Sequence, residues 1–159
     1  MKNSGIRRYE YLMKIAVVDG QGGGIGKAIV ERLRIRYNDS VSITALGTNA
    51  LATSAMLKAG ADEGATGENA IVYNADKADV IVGVIGIIAA NSMLGELSPA
   101  MAAAIAGSPA LKVLIPVNKC CIQVAGTKDM TLVQFIDEAV DMIDRHMRCR
   151  DAAAYEGMD

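Results

Sequence analysis

Residues 14–26 read KIAVVDGQGGGIG, and this stretch decides the fold. Its first part, 14–19, is an apolar run closed by Asp19. A strand without polar alternation suits a sheet covered by helices on both faces. Five glycines follow between Gly20 and Gly26. Then, over 25–37, Ile25, Ile29 and Leu33 recur every four positions with charges between them, the pattern of an amphipathic helix. Strand, glycine turn and helix in this order open a doubly wound α/β fold.

Outward from this unit the alternation continues. Residues 41–46 read as a strand, and 48–59 as a helix capped by Thr48 or Asn49 and ended by Gly60. A short strand is expected over 61–65 and a short helix over 68–74, with Thr66 as its cap. Strands are expected over 79–84 and 112–117, with a sixth at 122–125. Between them, 87–94 and 99–106 read as helical, split around 95–98. Thr131 and Gln134 form a capping-box pattern, after which Leu132, Phe135, Ile136, Ala139, Val140, Ile143 and Met147 share one helical face. Residues 1–12 lack apolar periodicity and read as a flexible extension before a start at Met13; 150–159 read as a frayed tail. The expectation is one domain over 13–149, a Rossmann-like three-layer α/β sandwich with a mainly parallel, doubly wound sheet of five or six strands.

Composition narrows the function. The chain has 159 residues, 52% of them hydrophobic, with no Trp and one Phe, so the core must be built from Ile, Val, Leu, Ala and Met. A net charge of −2 implies no oppositely charged partner. Lys27, Arg32, Arg34 and Arg36 read as the solvated face of a helix rather than a nucleic-acid stripe. Cys120, Cys121 and Cys149 make an odd set without regular spacing, and His146, near a helix end, is the lone histidine; neither a disulfide framework nor a metal site is expected. The longest apolar run, 80–90, is short of the ~20 residues that span a bilayer. No nucleic-acid or membrane partner is expected.

The glycine turn carries the chemistry. Glycines let backbone N–H groups approach a ligand closely, and the start of the next helix adds free N–H groups and a positive dipole end. Both favour a phosphate or carboxylate, whereas a bare crossover would need one glycine. Gly20, Gly24 and Gly26 have the G-x-x-x-G-x-G spacing and resemble the loop of short-chain dehydrogenases/reductases. That resemblance covers the first βα unit and implies the pyrophosphate of a nicotinamide cofactor. Two departures stand against it. After the second strand come Gly47, Thr48 and Asn49, with no acid for NAD and no arginine for NADP. Tyr73 and Lys77 match the family's Tyr-x-x-x-Lys spacing but precede the fourth strand, too early for that role. A P-loop is disfavoured because residue 21 is Gln and residue 28 is Ala, which removes the loop's Mg²⁺ ligand.

In a parallel sheet all strand C-termini face one crevice. The loops meeting there hold Gly47, Thr48 and Asn49, then 64–69, then Gly83 and Gly86 with Asn91 and Ser92, then Asn118, Lys119 and Cys120. The candidate ligand-binding residues are therefore Gly20, Gln21, Gly22, Gly23, Gly24, Ile25, Gly26, Thr48, Asn49, Gly83, Gly86, Asn118 and Lys119. Asp19 is either a base or an acceptor for loop N–H groups, and Glu68 is a second candidate acid. No catalytic residue is assigned, and Cys120 and Cys121 read as inert thiols.

Three stretches, KIAVVDGQGGGIGKAIVERLR, ALGTNALATSAMLKAGADEGATGENAIVYNA and GVIGIIAANSMLGELSPAMAAAI, resemble a family of short bacterial proteins known as a domain of unknown function, number three-eight-four-two. The resemblance runs from Met13 to about the last helix. It implies a Rossmann-like fold in the cytoplasm and no particular activity. Two readings follow. One is a protein binding a nucleotide, dinucleotide such as NAD(P), or other phosphorylated small molecule, including a small oxidoreductase. The other is a non-enzymatic metabolite sensor or regulatory module. The small, weakly charged residues of 50–58 and the apolar 85–94 suggest a homodimer.

Overall fold

The apolar run around Ile15 becomes the middle of a sheet. In the computed structural model, which describes residues 12–117 and 121–156, β1 (Met13–Asp19) pairs in parallel with β2 (Val41–Gly47) on one side and β4 (Val80–Val84) on the other. β3 (Glu63–Thr66) joins β2, and β5 (Leu111–Ile115) joins β4. The order is β3-β2-β1-β4-β5, all parallel. This is the Rossmann order, which reverses direction between β1 and β4. The expected sheet is present with five strands among the described residues. Residues 122–125 do not form the sixth. Cys121 and Gly126, at φ 52° and 84°, bracket them with left-handed turns that break an extended run.

Alternation along β1 divides two cores. Met13, Ile15 and Val17 pack with Ile43 and Val82 beneath α1 (Gly24–Tyr37), α2 (Ala50–Lys58) and α5 (Leu132–Glu156). Ala16 and Val18 pack with Leu46 and Ile81 beneath α3 (Glu68–Ala75) and α4 (Pro99–Gly107). Each fully buried Ile, Leu or Val contributes roughly 1.5–3 kcal/mol. These two layers hold the strand ends, and hence the crevice, in place.

The helix ends follow local chemistry. The Asn49 side chain caps α2 by accepting from the Ala52 N–H at 2.9 Å. At α5, Thr131 N–H donates to Gln134 Oε1 at 2.9 Å and Gln134 N–H donates to Thr131 Oγ1 at 3.3 Å, the expected reciprocal box. Thr66 does not cap α3. Gly67 stands there at φ 96°, and the Thr66 hydroxyl pairs with that of Thr53 at 2.8 Å. α5 continues past Cys149 to Glu156, and the Arg150 guanidinium meets Asp79 at 3.0 Å. His146 therefore lies inside this helix and not at its end.

The largest difference from the sequence reading is at 87–94. The chain makes a 3-10 turn over Ile85–Ile88 and another over Met93–Gly95 in place of a helix. Ser92 Oγ donates to Gly86 O at 2.6 Å, and Asn91 N–H donates to Leu97 O at 2.8 Å, so a side chain and a returning strand of chain take bonds a helix would use.

Lys27, Arg32 and Arg36 of α1 keep exposed side chains, as a solvated face would, and also form ion pairs, while Arg34 is drawn into the domain. Arg32 pairs with Asp137, and Arg36 with Asp141 at 2.6 Å, both on α5. Arg34 donates to the carbonyls of Gly60 and Asn38 at 2.6 and 2.7 Å and pairs with Asp62. No helix among the described residues is long and apolar enough to cross a membrane.

Candidate functional site

The turn after β1 is tied at both ends by Asp19. This carboxylate, 6% exposed, accepts from Gly20 N–H at 2.8 Å and from Gly26 N–H at 2.6 Å. Of its two expected roles it fills the acceptor's. Three glycines, Gly20, Gly23 and Gly26, are demanded by packing. A Cβ on Gly26 would stand 2.7 Å from Asp19 Cβ and from Met56 Sδ. A Cβ on Gly23, whose φ is 72°, would stand 2.6 Å from Ala52 Cα. Gly22 and Gly24 differ: a Cβ on either would have no neighbour within 4 Å. α1 begins at Gly24, one residue before the expected start, and its N-cap residue Gly23 has no side chain to offer. Its first N–H groups cannot bond within the helix. Gly26 N–H reaches Asp19, while no described group accepts from Gly24 or Ile25 N–H.

These open positions face a cavity of about 640 Å³. The loop from Asp19 to Ile25 forms one wall, Val84 at the end of β4 another, and Met93, Leu94, Val117 and Leu132 complete it. It lies where the strand order reverses, the position at which open α/β sheets bind ligands. Backbone polar groups line one side and aliphatic side chains the other, the usual composition of a small-molecule pocket.

Behind the turn, on the β2 side, sits a residue the sequence reading missed. Glu96 belongs to a strap over 91–96 between β4 and α4. Its Oε2 accepts from Gln21 N–H at 2.7 Å, Thr48 Oγ1 at 2.7 Å and Asn49 Nδ2 at 3.1 Å. The Gln21 N–H first, then the Thr48 hydroxyl, hold the Glu96 carboxyl below its ordinary range; burial opposes them and Asn49 adds to them. Asn49 Nδ2 also donates to Gln21 O at 2.9 Å. No local signal marks Glu96, because Gln21, Thr48 and Asn49 stand far from it along the chain.

The other candidates divide. Gly20, Gln21, Thr48 and Asn49 are brought together around Glu96. Gly83 lies within β4, where a Cβ would stand 2.6 Å from Val18 O, so it serves strand approach. Gly86 is buried in the first 3-10 turn and accepts from Ser92. Neither lines the cavity. Asn118, Lys119 and Cys120 lie outside the described residues. Glu68 accepts from the Ser98 hydroxyl, between α3 and α4. The Lys77 ammonium stands 3.0 Å over the Tyr73 ring; Lys77 borders a cleft with Lys14 and Ser42, at the strand starts, across the sheet from the glycine turn. Cys121 and Cys149 are exposed free thiols. Among the described residues, no cluster of three or more His, Cys, Asp or Glu could hold a metal.

A five-stranded parallel sheet in Rossmann order, with a glycine turn at its switch point, defines a Rossmann-like α/β domain. The chain belongs to the family described as Domain of unknown function (DUF3842), whose model matches residues 14–148. No curated protein matches it. Among solved structures, a dodecameric FMN-dependent UbiX-like decarboxylase from Escherichia coli O157:H7 is 16% identical, with 83% of this chain and 76% of that one covered at a TM-score of 0.42. A universal stress protein in complex with cAMP is 21% identical, with 64% of this chain and 95% of that one covered at a TM-score of 0.38. Likeness at this level is one of α/β architecture and says nothing about a ligand here.

Proposed function

We propose that this domain binds a phosphorylated small molecule, a nucleotide or a compound of similar chemistry, with its phosphate over Gly22, Gly24 and Ile25. One observation carries the reading: packing accounts for Gly20, Gly23 and Gly26, whereas Gly22 and Gly24 face open space beside N–H groups at the start of α1 that no described group accepts from. Backbone donors at a helix start favour an anion, and the aliphatic wall of Val84, Met93 and Leu94 suits an uncharged portion of the same molecule. The reading favours binding over catalysis. Asp19 is the ionisable side chain among the described lining residues, and loop N–H groups engage both its oxygens. A sensor or regulatory module in the cytoplasm fits this better than a small oxidoreductase. A thermal-shift screen against inorganic pyrophosphate, AMP, ATP, NAD, NADP and sugar phosphates tests it. Saturating binder should raise the melting temperature, since 100-fold excess over Kd stabilises by about 2.7 kcal/mol. No shift with any phosphate compound would remove the reading.

We also propose that the outer face of α2, where Leu51 is 65% exposed, packs against a second copy. Sedimentation equilibrium at micromolar concentration should give a dimer mass; a monomer mass would refute it.

A further inference from the structure

Resting on the phosphate-binding reading, we propose that Glu96 is a specificity-determining residue that closes the β2 side of the crevice, so that the site takes a phosphorylated ligand with one organic arm and rejects dinucleotides. A dinucleotide in this fold extends both ways from the glycine turn, and its ribose meets hydrogen-bonding groups at the end of the second strand. In this chain those groups are already engaged. Thr48 Oγ1 and Asn49 Nδ2 both donate to Glu96 Oε2, and so does the Gln21 N–H of the glycine turn. The carboxylate thus takes donors that a ribose or a phosphate would use.

The space is filled as well as the bonds. A Cβ on Gly20 would stand 2.6 Å from Met93 Sδ, 2.6 Å from Thr48 Oγ1 and 2.8 Å from Glu96 Oε2. The strap therefore rests directly on the turn at the point where a second arm would leave it. The cavity of about 640 Å³ is bordered by Met93 and Leu94 of the strap but not by Thr48, Asn49 or Glu96, and it opens toward Val84, Val117 and Leu132. The charge of Glu96 adds a third element, because it would repel a second phosphate on the β2 side. One side of the turn is thereby built to receive and the other to exclude.

Two measurements test this. Backbone and side-chain amide NMR of the wild-type protein titrated with inorganic pyrophosphate should move the Gly22, Gly24 and Ile25 signals and leave that of Asn49 Nδ2, outside the cavity lining, in place. Comparable movement of Asn49 Nδ2 would mean that the anion displaces Glu96, and the proposal falls while phosphate binding stands. No movement anywhere removes phosphate binding and this proposal together. In the second measurement, Glu96→Ala and the more conservative Glu96→Gln are compared with wild type in calorimetric titrations against NAD and nicotinamide mononucleotide. Glu96→Ala should tighten NAD by about tenfold or more relative to the mononucleotide, with a smaller gain in Glu96→Gln. An unchanged ratio, or no gain of NAD binding in a folded variant, overturns the proposal.

Discussion

Two turns meet at the crevice, and they reach tight backbone geometry by opposite means. The turn after β1 uses glycine at its crowded positions and at left-handed Gly23, with Gln21 at φ 50° its single left-handed residue of another type. The strap after β4 puts Asn91, Met93 and Leu94 at φ 63°, 56° and 58°, with Gly95 alone as a glycine. A left-handed backbone costs an L-residue about 1–2 kcal/mol. Leu94 bears this while 99% exposed, so its own packing does not offset it. The compensation comes from elsewhere in the strap: Ser92 on Gly86, Asn91 on Leu97, and Glu96 on the first turn. The first turn is shaped mainly by its own glycines, with Gln21 alone held from outside by Glu96 and Asn49, whereas the second is held throughout by bonds to its surroundings.

The contrast is broken most forcefully at the packing glycines. Gly26→Val should destabilise the domain strongly, because its side chain would meet Asp19 at the end of β1 and Met56 of α2. Overpacking of this kind costs about 1–3 kcal/mol or more, here with loss of the Asp19 tether besides. Gly22→Ala, in open space, should melt within a few degrees of wild type. Urea denaturation of the pair would refute the division of the glycines if both fell equally.

That division also marks what the sequence could show. The KIAVVD strand, the glycine turn and the α5 box were legible because their signals are local: apolar run, Gly content, and Thr131 paired with Gln134. The strap was not legible. Residues 87–94 carry the apolar content of a helix, and the bonds from Ser92 and Asn91 that prevent one depend on where the chain turns back. Glu96 was missed for the same reason, since its donors Gln21, Thr48 and Asn49 are far away in sequence. Glycine counting likewise could not separate positions needed for packing from those left open.

Smaller effects sharpen the comparison at the strap. Glu96→Ala should destabilise by roughly 1 kcal/mol, a charged hydrogen-bond network discounted for its partial exposure, or about 2–4 °C in melting temperature for a chain of this size. An unchanged midpoint would show that Glu96 does not hold the strap. Acid should act through the same group. The folded carboxyl titrates below the ordinary Glu value of about 4.3. Its contribution is therefore full above that pH and is lost as pH falls through the lower folded value. Hydrogen exchange at Gln21 should accelerate in that window beyond its intrinsic pH dependence, and Glu96→Gln should abolish the extra rise. Smallest is Leu94→Gly. Relief of the left-handed strain, less the added unfolded-state entropy of glycine, should leave a net gain of about 0.5 kcal/mol. A loss on that substitution would contradict the strain assigned to the strap.

The most direct test of phosphate binding at this turn is calorimetric titration of Gly24→Val beside wild type with the tightest phosphorylated binder from the thermal-shift screen. The new side chain would point into open space and leave the fold intact, yet it would stand between the ligand and the N–H groups that start α1. The account predicts an unchanged melting temperature without ligand and affinity weakened by about 100-fold, near 2.7 kcal/mol. Equal affinity in the two proteins would contradict it.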